Sequence, residues 1–198
     1  LAGRPQVLIF NRASVAGHDP ETGAVLWEQP WPAEQPNVTA PLPLPGDRVL
    51  LTASYGIGAK LYEVGRGDDG ALAARLLWES PRLKSKFANV VVHGGFVYGL
   101  DDGVLTCLDP ATGDRRWKGG RYGHGQIVLA GDLLLVQTEE GEAALVEASP
   151  DAHRELSRFP VLRGKTWNPP ALAGAVLVVR NDQEAAAYEL PLADAAGP

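Results

Sequence analysis

The sequence predicts an all-β protein made of small antiparallel sheets standing side by side, and three observations predict it. First, a turn followed by an apolar strand recurs at Gly46-Asp47-Arg48-Val49-Leu50-Leu51, Gly94-Gly95-Phe96-Val97-Tyr98, Gly131-Asp132-Leu133-Leu134-Leu135 and Gly174-Ala175-Val176-Leu177-Val178. Gly3, ahead of Pro5-Gln6-Val7-Leu8-Ile9-Phe10, extends the series. The spacing is about 43 residues, the length of four strands in one propeller blade. Second, the pattern Asp-x-x-Thr-Gly-x-x-x-Trp occurs twice, from Asp19 to Trp27 and from Asp109 to Trp117. Third, 23 glycines and 16 prolines in 198 residues leave little room for long helices. The predicted fold is a partial β-propeller of four-stranded antiparallel blades, three of them complete and two three-stranded.

Each element has a local reason. In the repeated turn, Asp19 and Thr22, like Asp109 and Thr112, can bond backbone N–H groups, while Gly23 and Gly113 supply positive φ without a Cβ penalty. Trp27 and Trp117 then fall in the outgoing strand, where an aromatic can pack between neighbouring sheets. In this register the strands lie near 6 to 11, 14 to 19 and 24 to 29, then 38 to 43, 48 to 54, 59 to 65 and 73 to 79. Two complete blades follow near 87 to 118 and 126 to 159, and the chain ends with strands near 170 to 173, 176 to 180 and 185 to 190. As one domain over 1–198, the blades span about 1–31, 37–80, 86–119, 125–160 and 167–191. Residues 139 to 148 and 183 to 190 favour helix by their Ala and Glu content. The repeat overrides that preference, and Gly141 interrupts the first of the two.

Composition narrows the function. With 24 acidic against 18 basic residues the net charge is −6, opposite to the basic face a nucleic-acid binder presents. No apolar run reaches the roughly 18 residues that cross a bilayer as a helix. The single cysteine, Cys107, allows no internal disulfide and no thiolate zinc site, and reads as a buried strand residue. His18, His93, His124 and His153 lack metal-ligand spacing, so no metal is expected. No Gly-x-Ser-x-Gly elbow occurs. Gly56-Ile57-Gly58 leads into a strand rather than the helix N-terminus a phosphate needs.

At the two Asp-x-x-Thr-Gly-x-x-x-Trp copies the sequence resembles the tryptophan-docking repeat of the quinoprotein dehydrogenase superfamily. The wider pattern is similar to the PQQ-like repeat proteins, which include the BamB-type outer-membrane assembly lipoproteins. Trp78 holds the docking position in the second blade, after a degraded Gly67-Asp68-Asp69-Gly70 turn. The fourth blade has Ser149-Pro150-Asp151 and no tryptophan nearby. The resemblance implies a ring of eight blades, of which this chain would be the C-terminal half, with the remaining blades missing. It also implies that Pro198 lies near a natural C-terminus, and that Leu1 opens inside a blade lacking its innermost strand. Free sheet edges at both ends would invite pairing.

In a propeller, the loops leading into the innermost strands gather round the channel. By register these carry Asn37, Thr39, Lys84, Lys86, Asn89, Tyr122, His124, Gln126, Lys165, Trp167 and Asn168, the candidates for a polar, partly basic mouth. The expected function is a non-catalytic scaffold that binds a protein segment or other extended ligand there, in the periplasm or cell envelope by family resemblance, without a cofactor. One alternative is a fragment of a PQQ-dependent dehydrogenase, which would bring pyrroloquinoline quinone and calcium; Cys107 has no adjacent cysteine, and no Asp or Glu stands among the inner-strand mouth positions. The other alternative is the sensor propeller of a larger receptor or kinase. Substitution of Lys84, Lys86 or Lys165 is expected to change stability by less than about 0.5 kcal/mol, as at surface sites.

Overall fold

The computed structural model describes residues 1–31 and 35–191. Among them the strands form five antiparallel sheets, each a meander in chain order. The first contains β1 (Val7–Phe10), β2 (Ser14–His18) and β3 (Val25–Pro30). The second contains β4 (Leu42–Leu44), β5 (Arg48–Ala53), β6 (Gly58–Arg66) and β7 (Leu72–Ser80). The third contains β8 (Val91–His93), β9 (Phe96–Asp101), β10 (Val104–Leu108) and β11 (Arg115–Arg121). The fourth contains β12 (Gln126–Ala130), β13 (Leu133–Gln137), β14 (Glu142–Glu147) and β15 (Glu155–Pro160). The fifth contains β16 (Ala171–Ala173), β17 (Val176–Arg180) and β18 (Ala185–Glu189). This is the partial propeller the repeat predicts. The expectation for Pro198 lies outside the described residues. No helix among the described residues is long and apolar enough to cross a membrane.

A shared irregularity aligns the sheets. The hairpin to the outermost strand shifts register at Gly17/His18, Leu61/Tyr62, Cys107/Leu108 and Leu145/Val146, so β3, β7, β11 and β15 are equivalent strands. The first sheet therefore consists of the second to fourth strands of a blade, and the fifth of the first to third. A bulge of this kind bends the strand and raises its twist, which suits the outer edge of a blade.

Hydrophobic clusters sit between sheets because the second strands of the three complete blades, β5, β9 and β13, bury both faces. Along β5, Val49 and Leu51 pack towards the first sheet, and Leu50 packs towards the third. Along β13, Leu134 and Val136 face the third sheet while Leu135 faces the fifth. The two segments with helix-favouring composition are strands β14 and β18. Ala143 and Ala144 are buried there, one in each adjoining junction, where small side chains let the sheets approach.

The innermost strands start later than expected, at Leu42 and Val91 rather than near 38 and 87. The residues before them bond to other segments instead: Thr39 Oγ1 donates to the Thr52 carbonyl, and Ala40 N–H donates to Asn89 Oδ1 at 2.8 Å.

Tryptophans dock successive blades. Trp78 Nε1 donates to the Pro110 carbonyl at 3.0 Å, and Trp117 Nε1 donates to the Ser149 carbonyl at 2.8 Å, each reaching the outer turn of the next sheet. Gly113, at φ +75°, lies under the Trp78 ring, where a Cβ would come within 2.8 Å of the indole. Arg82 Nη1 latches the same turn through Asp114 Oδ1 at 2.9 Å. Trp27 is 4 % exposed in the junction with the second sheet, but its Nε1 donates to Gln6 Oε1 of its own blade at 2.6 Å. The two repeated turns close alike: Gly23 N–H donates to the Asp19 carbonyl at 2.9 Å, and Gly113 N–H to the Asp109 carbonyl at 2.8 Å. Asp19 Oδ1 accepts the N–H groups of Thr22 and Glu21, which hold its carboxyl below the usual range.

Candidate functional site

In a four-stranded meander, the loops entering the first strand end at the same edge of the sheet as the hairpin between the second and third strands. This edge, the channel mouth, therefore gathers residues 81–90, 122–125 and 161–170 together with the β5–β6, β9–β10 and β13–β14 hairpins. Irregular backbone packed this closely must find partners for its carbonyls and amides.

Several predicted mouth residues supply those partners. Asn37 Nδ2 donates to the Asn11 carbonyl at 2.8 Å, joining the first blade to the segment entering the second. Asn89 accepts from Ala40 and ties the second blade to the third. Gln126, 6 % exposed, donates through Nε2 to the Phe87 carbonyl at 3.2 Å and the Trp167 carbonyl at 2.8 Å, bridging the third, fourth and fifth blades. Asn168 takes part through its backbone, whose carbonyl accepts from Gln137 Nε2 at 3.1 Å.

Tyr122 requires a correction. Placed by register among the ligand-facing residues, it is 2 % exposed, and its hydroxyl donates to Glu155 Oε2 at 2.7 Å and meets His153 Nε2 at 2.8 Å. Burial first, then the Glu155 carboxylate, push its phenol pKa up. Arg158 lies over the ring at 4.9 Å and holds Glu155 below the usual carboxylate range. The aromatic body fills the junction between the third and fourth blades, which is why a polar tip did not bring it to the surface.

Lys84 is corrected too. Its Nζ lies 2.7 Å from Asp101 Oδ1 and 3.2 Å from Asp102 Oδ2, and Lys118 Nζ lies 2.6 Å from Asp101 Oδ2. Asp101 is 1 % exposed. Burial disfavours its charge, but bonds from Lys118 and Lys84 outweigh that and lower its pKa. Burial likewise opposes the charge on Lys84, and the two aspartates outweigh it, leaving the ammonium pKa raised. Lys84 is therefore a structural ion-pair partner rather than a spare surface lysine.

The remaining candidates form one surface. Lys86 Nζ sits 5.4 Å from the Tyr55 ring centre and 5.2 Å from that of Phe87. Phe87 packs against Trp167 with ring centres 5.0 Å apart and meets the edge of His124 at 6.0 Å. Lys165 Nζ covers Trp167 at 4.8 Å. Glu139 braces this group: Oε1 accepts from Trp167 Nε1 at 2.9 Å, and Oε2 accepts from the His124 N–H at 2.9 Å. Burial opposes the charge on Glu139, but those two donors keep its pKa below the usual value. Tyr55 and Trp167 remain 48 % and 44 % exposed, and the bond to Glu139 fixes the Trp167 indole.

Tyr55, Phe87, Glu139, Asp101 and Asp102 were not among the sequence candidates, and the carboxylates reach the mouth from hairpins rather than from the inner-strand loops, where no Asp or Glu was expected. All but Phe87 lie on hairpins between second and third strands, whose shared edge with the inner-strand loops follows from strand parity and was a usable signal. The acids do not form a calcium cage. Asp101 is paired with two lysines and Glu139 accepts from two N–H donors, so each is committed to neighbouring protein groups. Among the described residues, no group of three or more His, Cys, Asp or Glu could hold a metal ion.

Repeated sheets with indole-docked outer turns and a loop-built mouth define a PQQ-like β-propeller. A family model described as outer membrane protein assembly factor BamB matches residues 1–119, and the chain belongs to that family. No curated protein matches. Among solved structures, the computationally designed Ika8 protein is similar with a TM-score of 0.67 at 14% identity, over 92% of this chain and 57% of that one. The chain thus spans little more than half the length of that protein, and the likeness is one of fold. The crystal structure of BamB from Moraxella catarrhalis aligns with a TM-score of 0.49 at 17% identity, over 94% of this chain and 70% of that one.

Proposed function

We propose that the chain is part of a non-catalytic scaffold in the cell envelope, whose channel mouth binds an extended protein segment. The observation that carries this reading is the braced aromatic and basic surface of Tyr55, Lys86, Phe87, His124, Lys165 and Trp167. An exposed indole held in place by Glu139 and Phe87 loses little entropy on binding, and aromatic anchors are where interface energy concentrates. Lys86 and Lys165 add positive charge on a protein whose net charge is −6, which favours a segment carrying carboxylates beside apolar side chains. The family's description as an assembly factor agrees with a role in bringing proteins together.

Selection of displayed peptides on the immobilised chain tests the proposal. Enriched peptides should combine acidic and apolar residues, and Trp167→Ala or Lys165→Glu should weaken them at least about tenfold, near 1.4 kcal/mol. Peptides that bind both variants as they bind the parent would sink it.

A further inference from the structure

The junction between the fourth and fifth sheets holds a cavity of about 600 Å³. Its walls are mostly apolar, with Leu133, Leu135, Leu145, Phe159, Leu172 and Tyr188 among them. It opens beside the β12–β13 and β16–β17 turns, at the end of the sheets opposite the mouth.

The register explains why it is there. Trp27 pairs with Gly17, Trp78 with Leu61, and Trp117 with Cys107, each immediately before the shared bulge. In the fourth sheet the residue at that position is Ser157, paired with Leu145, and both line the cavity. The acceptor of the Trp117 junction has a counterpart here, one residue further from the bulge than the Pro110 acceptor of the Trp78 junction. Trp117 Nε1 donates to the carbonyl of Ser149, the residue after Ala148, whose own N–H bonds to the Asp132 carbonyl. In the fifth sheet Leu190 N–H bonds in the same way to the Ala175 carbonyl, so Pro191 stands where Ser149 stands, and it too lines the cavity.

We propose that this cavity is a binding site for a small planar aromatic of the indole class, seated where neighbouring junctions hold a tryptophan side chain. The apolar walls take the ring, and the Pro191 carbonyl stands at the position that accepts an indole N–H in the preceding junction. Its volume lies within the range of small-molecule pockets, and an apolar cavity of about 150 Å³ already admits a single benzene ring.

The test uses the 198-residue chain with indole itself as probe, followed by saturation-transfer NMR and isothermal titration. The parent chain should bind indole saturably below millimolar concentration, and 1-methylindole, which lacks the donor, several-fold more weakly. Ser157→Trp should abolish indole binding while raising the thermal midpoint by about 2–4 °C, because the chain then fills its own cavity. Leu172→Trp narrows the cavity from the opposite wall and serves if the first variant does not fold. Trp167→Ala, at the mouth, should leave indole binding unchanged. Absence of saturable binding to the parent, undiminished binding to a folded Ser157→Trp chain, or loss of binding in Trp167→Ala would each overturn the proposal.

Discussion

At the scale of single residues, Asp101 governs the mouth most strongly. It is a nearly inaccessible carboxylate shared by Lys84 and Lys118, and removing one member of such a set strands the others. Asp101→Asn should lower stability by about 3 kcal/mol, the low end for a buried pair because both lysines keep some solvent. The pH dependence has a definite sign. The folded pKa of Asp101 lies below its unfolded value, so its contribution is complete above the unfolded pKa of about 3.9 and is lost as pH falls through the folded one. The folded pKa of Lys84 lies above its unfolded value, so its share is complete below about 10.4 and is lost as pH rises through the folded pKa. Urea unfolding of parent and variant at pH 7 and in acid should show a gap at pH 7 that closes in acid; a constant gap would mean that the ion pairs do not matter. Cys107 gives a second check. It is fully buried, and burial pushes its thiol up to about 11, so native protein at pH 8 should resist alkylation that proceeds rapidly in denaturant.

Within elements, the docking turns and the amide bridges do the positioning. Gly113 combines a positive φ with a Trp78 ring too close to admit a Cβ, so Gly113→Ala should cost more than the roughly 1 kcal/mol that φ strain alone imposes. Thermal melts of Gly113→Ala against Gly131→Ala, where φ is also positive but the space is open, separate the two causes. Gln126→Ala leaves the carbonyls of Phe87 and Trp167 without their shared donor, a loss of about 1–3 kcal/mol. It should also weaken peptide binding, because those two residues supply the aromatic faces. This is the scale at which sequence reading stops short. The strands and turns were legible because Asp19-to-Trp27 and Asp109-to-Trp117 encode their geometry within nine residues. The role of Gln126 was not, since an amide side chain reads the same whether it faces a ligand or a neighbouring carbonyl. Lys84 was misjudged and Glu139 was missed for a related reason: the partners of Lys84 lie on the β9–β10 hairpin and those of Glu139 on the loops entering β12 and β16, and only the assembled edge brings them together.

For the whole molecule, two sets of aromatics divide the work. Trp27, Trp78 and Trp117 hold the sheets in stack from the outer turns, while Tyr55 and Trp167 face solvent at the opposite edge with the half-buried Phe87 packed against Trp167. The end faces suit a longer stack. Val7 and Ile9 on β1, and Val176 and Val178 on β17, are 43–49 % exposed on faces pointing away from the neighbouring sheet. A further blade on either side would cover them, as expected of repeats that bury their core only between neighbours. The most direct measurement is a paired one: stability by urea unfolding and affinity for a selected peptide, in Trp117→Ala and Trp167→Ala. The docking variant should lose about 3 kcal/mol of stability and retain peptide affinity where it remains folded; the mouth variant should stay within about 1 kcal/mol of the parent and lose binding at least about tenfold. Equal losses of stability in both, or binding unaffected in Trp167→Ala, would contradict the division of labour.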